Sequence, residues 1–316
     1  MVSIYQTDLA TGRLAEAPAV TRGCWVNLVS PTADEVATVC QEAHISSEFI
    51  DYALDREEKP RIDRDEDERT ELILIDVPIE TPGEAKGVAS FDTIPLGIII
   101  VRDEILITVS LESVQTVGIF ASGRRHRFST ALKSRFVLQI FLESASNYLA
   151  CLKTLNKERS RVEAELAATY KNQELLRLLD VQKSLVYFET SLKANEAVME
   201  RLQRGKTMPL YNDDDEILED AIIENKQALE MTQIYSNVLK STMEVYGSLI
   251  SNNLSSIMRF LTSITIFLAI PTMFAGFWGM NVDIPFQENA WSFWAVLVGS
   301  MLLGVAVSVA VSWRKR

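Results

Sequence analysis

Residues Arg259 to Val282 read RFLTSITIFLAIPTMFAGFWGMNV, and the reading of this stretch decides how the rest of the chain is placed. From Phe260 to Val282 there are 23 residues without a charge. At about 1.5 Å of rise per residue, a helix of that length crosses a hydrocarbon core roughly 30 Å thick. The stretch closes in a compact Gly279-Met280-Asn281 turn. After a short polar loop a second uncharged run of 25 residues extends from Asn289 to Trp313 and stops at Arg314, Lys315 and Arg316. The expectation is two membrane spans at the C-terminal end, with about 255 residues on one side of the bilayer.

Working outward, Arg259 at one mouth and the Arg-Lys-Arg ending at the other both satisfy the positive-inside rule. The opening MVSIYQTDLATGRL carries no apolar h-region, so no signal peptide is expected. The expected location is the cell's inner membrane, multi-pass, with both termini cytoplasmic. The three cysteines, Cys24, Cys40 and Cys151, are scattered without a CxxC spacing, which argues against a disulfide framework or a zinc knuckle. Net charge is -12; four basic and two acidic residues from Ile257 onward give +2, so the remainder carries -14. Such acidity disfavours nucleic acid as a partner and suits cations, although it also serves solubility.

The rest divides by its grammar. From Arg22 to Gly87 the pattern is mixed α and β: GCWVNLV and ELILIDVPIE read as strands, and TADEVATVCQEA after Pro31 reads as a helix. IPLGIIIV and ILITVS, separated by Arg102, Asp103 and Glu104, predict a hairpin ending near Ser110. Glycine and proline then vanish from Ser129 to Gly205, and apolar residues recur at helical spacing, as at Leu132, Phe136, Ile140 and Phe141. This predicts helices from about Thr130 to Tyr170 and from Asn172 to Gln203, with a third opening near Asp214 behind an acidic run. The expected organisation is an α+β cytoplasmic domain over 1–125, long antiparallel helices over 126–213, a stalk helix over 214–256, spans at 257–278 and 291–313, an external loop at 279–290 and a basic tail at 314–316.

The third helix lacks a stop signal. Ile222, Leu229, Met243, Ile250 and Ile257 are related by sevens, with Ser236 on the missing rung and Leu239 and Tyr246 at the companion spacing. A rod of roughly 60 residues, about 90 Å, that packs against copies of itself and continues into the bilayer fits this pattern; an intramolecular bundle is the plainer alternative.

The Gly279-Met280-Asn281 turn, placed after a stalk helix and between two C-terminal spans, resembles the signature of the CorA family of divalent metal ion transporters, and the likeness covers nearly the whole chain. It implies a homo-pentamer in a lipid bilayer, a pore lined by the first span, and transported Mg²⁺, with Co²⁺ or Ni²⁺ as further divalent cations. Magnesium surrenders its water shell reluctantly, so an entrance ring of Asn281 amides and Gly279 carbonyls suits it better than a cage of carboxylates. Thr272, Ala269, Thr265, Leu261, Met258 and Ser255 follow one another by three or four residues and share a face, the expected pore lining. By resemblance Met258 and Leu261 match the gate, an apolar neck that closes by dewetting. Ala269 and Ser255 depart from the bulky apolar residue and the amide usual in the family. Packing is the plain alternative for Met258, Leu261, Gly276 and Gly279. Pro271 is expected to bend or loosen the span.

Lys59, Pro60 and Arg61 resemble the family's Arg-Pro-Lys segment, which follows a short acidic helix, here FIDYALD. The resemblance implies a regulatory Mg²⁺ between subunits, with Asp51 on one side and Asp220, or its neighbour Glu219, on the other. Tyr52 occupies the position of the family's principal aspartate. The expected activity is channel-like entry of hydrated Mg²⁺, closed by cytoplasmic Mg²⁺. Met280 favours magnesium over a zinc carrier of the same superfamily; a membrane-tethered coiled-coil scaffold without a pore is the reading from another class. No enzyme is expected, since His44 and His126 stand apart and no phosphate loop or nucleophile motif is present.

Overall fold

The computed structural model describes the chain apart from residues 9–11, 84–88, 124–127, 170–171, 205–207, 209–212, 282–288 and 314–316. Seven strands, β1 (Val2–Thr7), β2 (Leu14–Glu16), β3 (Cys24–Val29), β4 (Arg61–Asp65), β5 (Thr70–Pro82), β6 (Ala89–Val101) and β7 (Ile105–Ser110), form one sheet in the order β2-β1-β3-β7-β6-β5-β4. Among the described residues only the β3–β7 pair is parallel. The β6–β7 hairpin turns through Arg102 and Asp103, both in the left-handed region with φ of 51° and 54°.

Helices α1 (Ala33–Ala43) and α2 (Glu48–Leu54) cover one face of the sheet; α3 (Gln115–Ala121), α4 (Lys133–Thr169), α5 (Asn172–Arg204) and the start of α6 (Asp214–Trp278) cover the other. Successive residues of a strand point to opposite faces, so β5 sends Leu72 and Leu74 to the first core and Ile73, Ile75 and Val77 to the second. A strand buried on both faces is apolar at consecutive positions, which is why ELILIDVPIE does not alternate. On the second face Trp25 stacks edge-on against Phe136 at 5.0 Å, and its Nε1 donates to Thr108 Oγ1 at 2.8 Å.

Helix α1 opens with a capping box: Glu35 N–H donates to Thr32 Oγ1 at 3.3 Å and Thr32 N–H to Glu35 Oε2 at 2.9 Å. Pro31 therefore precedes the cap instead of lying in the first turn. Helix α2 approaches β6 at Gly97, where an added Cβ would come within 2.4 Å of Ala53 Cβ. Only glycine permits that contact, which sets the height of α2, and with it Asp51, above the sheet.

Three strands and one helix escape the sequence reading. β2 and β4 are the edge strands and β1 lies one in from the edge, between β2 and β3; β1 is half-buried and β4 (RIDRD) buries only Ile62, so none shows a continuous apolar run. α3 has seven residues and no side-chain cap.

The chain divides into two compact units, Met1–Lys240 and Ser241–Arg316, and the division falls inside α6. The first part of α6 is fixed to the helices of its own unit. Arg135 Nε donates to Asp214 Oδ1 at 2.9 Å, and the Asp214 side chain is fully buried. Ser146 Oγ lies 2.5 Å from Glu224 Oε2, and Asn225 Nδ2 donates to the Leu192 carbonyl at 3.0 Å. Leu218, Ala221 and Ile222 complete the contact with the second core. The early heptad rungs Ile222 and Leu239 are thus buried within the chain, whereas Ile250 and Ile257 are exposed.

Candidate functional site

Within the unit Ser241–Arg316, the end of α6 and helix α7 (Ala290–Trp313) are, among the described residues, the two segments long and apolar enough to cross a membrane. Polar atoms and a close approach hold them together. Ser308 Oγ donates to the Ser263 carbonyl at 2.6 Å, and an added Cβ on Gly304 would stand 3.2 Å from the Phe267 carbonyl oxygen. Towards the Gly279 end the pair encloses a cavity of about 230 Å³ lined by Pro271, Ala275, Trp278, Phe293, Leu297 and Ser300.

These contacts give α6 two faces. Ser263, Ile266, Phe267, Ile270 and Phe274 are partly buried on the α7 side. With each residue advancing about 100°, Met258, Leu261, Thr265, Ala269, Thr272 and Gly276 lie roughly opposite Phe267. All six are exposed. The expected pore lining is therefore one continuous face turned away from α7, with Ser255 somewhat to its side. An added Cβ on Gly276 meets nothing within 4 Å, so no packing among the described residues requires that glycine.

The threonines on this face have a defined polarity. Thr272 Oγ1 donates to the Leu268 carbonyl at 2.7 Å and Thr265 Oγ1 to the Leu261 carbonyl at 2.9 Å. A hydroxyl has one proton and two lone pairs. With the proton spent on the helix, each oxygen faces outward as an acceptor. Hydrated Mg²⁺ presents water hydrogens, so acceptors are what its shell requires.

Pro271 lacks the N–H that would bond the Phe267 carbonyl, yet α6 continues as helix to Trp278. Gly279 N–H then bonds the Ala275 carbonyl at 3.0 Å and Met280 N–H the Phe277 carbonyl at 3.4 Å, closing the last turn before the exposed Asn281. At the other end Arg259 folds along its own helix, with Nη2 donating to Ser256 Oγ at 2.9 Å. Asp283 and Glu288 of the loop, the tail Arg314–Arg316, and His126 lie outside the described residues.

The residues expected to hold a regulatory ion are not brought together within one chain. Asp51 is exposed on α2, on one side of the sheet; Glu219 and Asp220 are exposed on α6, whose neighbouring Leu218 and Ala221 pack on the other side. Among the described residues no three His, Cys, Asp or Glu side chains form a group able to hold a metal ion. Beside Asp51, Tyr52 carries the Arg61 guanidinium 4.8 Å from its ring centroid, and Arg61 also pairs with Glu58 and, at 2.5 Å, with Asp63. A cation of the protein's own thus stands next to the Tyr52 ring.

Residues 21–314 match the family model described as CorA-like Mg²⁺ transporter protein. The chain belongs to the CorA family. The "Cobalt/magnesium transport protein CorA" of Methanocaldococcus jannaschii is 29% identical over 284 residues, 86% of this chain and 84% of that protein. The complete structure of the CorA magnesium transporter from the same organism superposes with a TM-score of 0.81 at 25% identity, covering 97% of this chain and 96% of that one. A structure of full-length CmaX has a TM-score of 0.72 at 16% identity, over 99% of this chain and 97% of the other, a likeness of fold. CorA proteins are transporters, in keeping with the reading that this chain is not an enzyme.

One buried carboxylate, Glu71, and one partly buried, Asp76, were not singled out from the sequence of this CorA chain. Burial pushes Glu71 up to about 7; the nearby Arg64 charge draws it back and Asp103 adds to the rise. Its Oε1 has no hydrogen-bond partner. Burial likewise raises Asp76 to about 6, against the pull of the Ser191 hydroxyl, which donates to Oδ2 at 2.6 Å, and with a push from Asp92. Strand position alone does not disclose either, because the groups that bury them come from distant elements. Ser300, Gly304 and Ser308 were also missed, for α7 is apolar all round and shows no preferred face.

Proposed function

We propose that the chain conducts hydrated Mg²⁺ into the cytoplasm through a pore lined by the α6 face that carries Met258, Leu261, Thr265, Ala269 and Thr272. The observation that carries this reading is the pair of threonines, Thr265 and Thr272, whose protons are bound to the helix and whose lone pairs face away from α7. A single helix face encloses nothing, so several copies must surround one axis; a homo-pentamer is the assembly the family resemblance implies. Gly279, Met280 and Asn281 form the entrance, where amide and carbonyl oxygens accept from the ion's water shell. Met258 and Leu261, both more than half exposed in the single chain, form the apolar neck. Co²⁺ is a second cargo, in keeping with the name of the Methanocaldococcus jannaschii relative.

Feedback follows from the acidic residues. Asp51 and Asp220 lie on opposite sides of one chain's sheet, so an ion bound by both must bridge neighbouring chains, with Glu219 beside it. Cytoplasmic Mg²⁺ bound there holds the closed pentamer, and its loss lets carboxylate repulsion loosen the interface. Purified protein in liposomes with a Mg²⁺-sensitive dye tests both parts. Flux should be present and should be lost in Asn281→Ala; Asp220→Ala should weaken inhibition by Mg²⁺ on the cytoplasmic side. Absence of flux leaves the scaffold reading ahead, flux indifferent to Asn281→Ala removes Asn281 from the entrance, and full inhibition of Asp220→Ala removes Asp220 from the sensor.

A further inference from the structure

Helix α7 touches α6 where the α6 hydrogen-bond ladder is interrupted. Pro271 leaves the Phe267 carbonyl without its helical donor, and that oxygen faces Gly304, where an added Cβ would be 3.2 Å from the oxygen and 3.4 Å from Phe267 Cδ2. One turn towards the cytoplasm, the Ser263 carbonyl takes the Ser308 hydroxyl at 2.6 Å. Two successive carbonyls on one side of α6 are thus held by two residues of α7 spaced by one turn. A proline-interrupted segment is the compliant part of a helix. In hydrocarbon no water replaces a missing donor, so the neighbouring helix must supply the contact. Glycine allows the backbones to approach closely enough for a Cα–H to face the freed oxygen, a recurrent contact between helices.

We propose that Gly304 and Ser308 are positioning residues for transport: by holding Phe267 and Ser263 they fix the part of α6 that presents Thr265, Ala269 and Thr272, and so set the width of the ion path. This rests on the reading of that face as the pore lining. Moving α6 away from α7 by the few tenths of an ångström that an added Cβ requires carries the opposite face with it, because the helix between Ser263 and Phe267 is a single turn. The effect on the path therefore reaches residues that α7 never touches.

The test compares Gly304→Ala, Gly304→Val, Ser308→Ala and Pro271→Ala in liposomes, each as the full-length protein with its oligomer and melting temperature checked first. The readouts are Mg²⁺ flux and the ratio of Mg²⁺ to Co²⁺ flux. Gly304→Ala should change flux severalfold and shift the ratio at least twofold, with Ser308→Ala moving the ratio less and Gly304→Val more. Pro271→Ala returns a donor to the Phe267 carbonyl, so Gly304→Ala in that background should have a smaller effect than in the parent. Flux that falls only in proportion to lost folded protein, with the ratio unchanged, assigns the contact to stability alone and overturns the proposal. Unchanged flux and ratio in both Gly304→Ala and Ser308→Ala overturn it as well. Thr272→Val keeps the two readings apart: if it alters flux while the α7 variants do not, the pore reading stands and this one falls.

Discussion

The units Met1–Lys240 and Ser241–Arg316 treat their apolar residues in opposite ways. In the first, Trp25, Phe136, Phe141 and Tyr148 are fully or almost fully buried, and two cores sandwich the sheet. In the second, Phe260, Leu268, Phe277, Leu302 and Trp313 are all more than half exposed. The first unit carries its own reason to fold; the second leaves its apolar surface for a bilayer, and, on the proposed reading, for further copies of itself. On one face of that hairpin the threonine oxygens stand outward as acceptors, as the proposed path for hydrated Mg²⁺ requires.

Cutting the chain at the division should break the comparison most visibly. Residues 1–240 are expected to remain monodisperse without detergent and to melt cooperatively, whereas residues 241–316 should aggregate without it; gel filtration of both fragments is the measurement. A soluble second fragment would mean that its exposed apolar surface needs neither lipid nor partner.

A smaller effect concerns how the stalk is fastened to the first unit. Arg135→Ala removes the guanidinium that bonds the buried Asp214 carboxylate and should cost about 3 kcal/mol, read as a lowered melting temperature. Equal melting would show that Glu224, Asn225 and the apolar contacts of Leu218, Ala221 and Ile222 hold α6 without this pair.

The smallest concerns the charge placed inside the sheet domain. Glu71 titrates near 7 when folded against an ordinary value of 4.5, so the folded state holds its proton more tightly than the unfolded chain. Its cost is absent below pH 4.5, where both states are protonated, and complete above about pH 7. Stability should therefore fall as pH rises through that window, and Glu71→Gln should flatten the slope by up to about 3 kcal/mol. A variant with the parental slope would assign the pH dependence to other groups, Asp76 first among them.

How much was legible follows from the same contrast. The spans are written in the composition, and the third helix begins at Asp214 as its acidic first turn indicates. The helices expected at Thr130–Tyr170 and Asn172–Gln203 appear as Lys133–Thr169 and Asn172–Arg204. The edge strands β2 and β4, and β1 next to the edge, stayed hidden because they bury little, so their sequences alternate weakly. At the site, periodicity alone put Thr265, Ala269 and Thr272 on one face. That the face points away from α7 was not legible, since the pairing of Ser308 with Ser263 and of Gly304 with Phe267 depends on a register that neither helix encodes by itself.

The central claim is the direction of that face, and thiol accessibility in the membrane tests it. Single cysteines at Thr265, Ala269 and Thr272, in a background without Cys24, Cys40 and Cys151, should react with a charged aqueous thiol reagent and block flux. Cysteines at Ser263, Phe267 and Ile270 should not. Equal labelling of both sets, or labelling of the α7 side alone, would contradict the account.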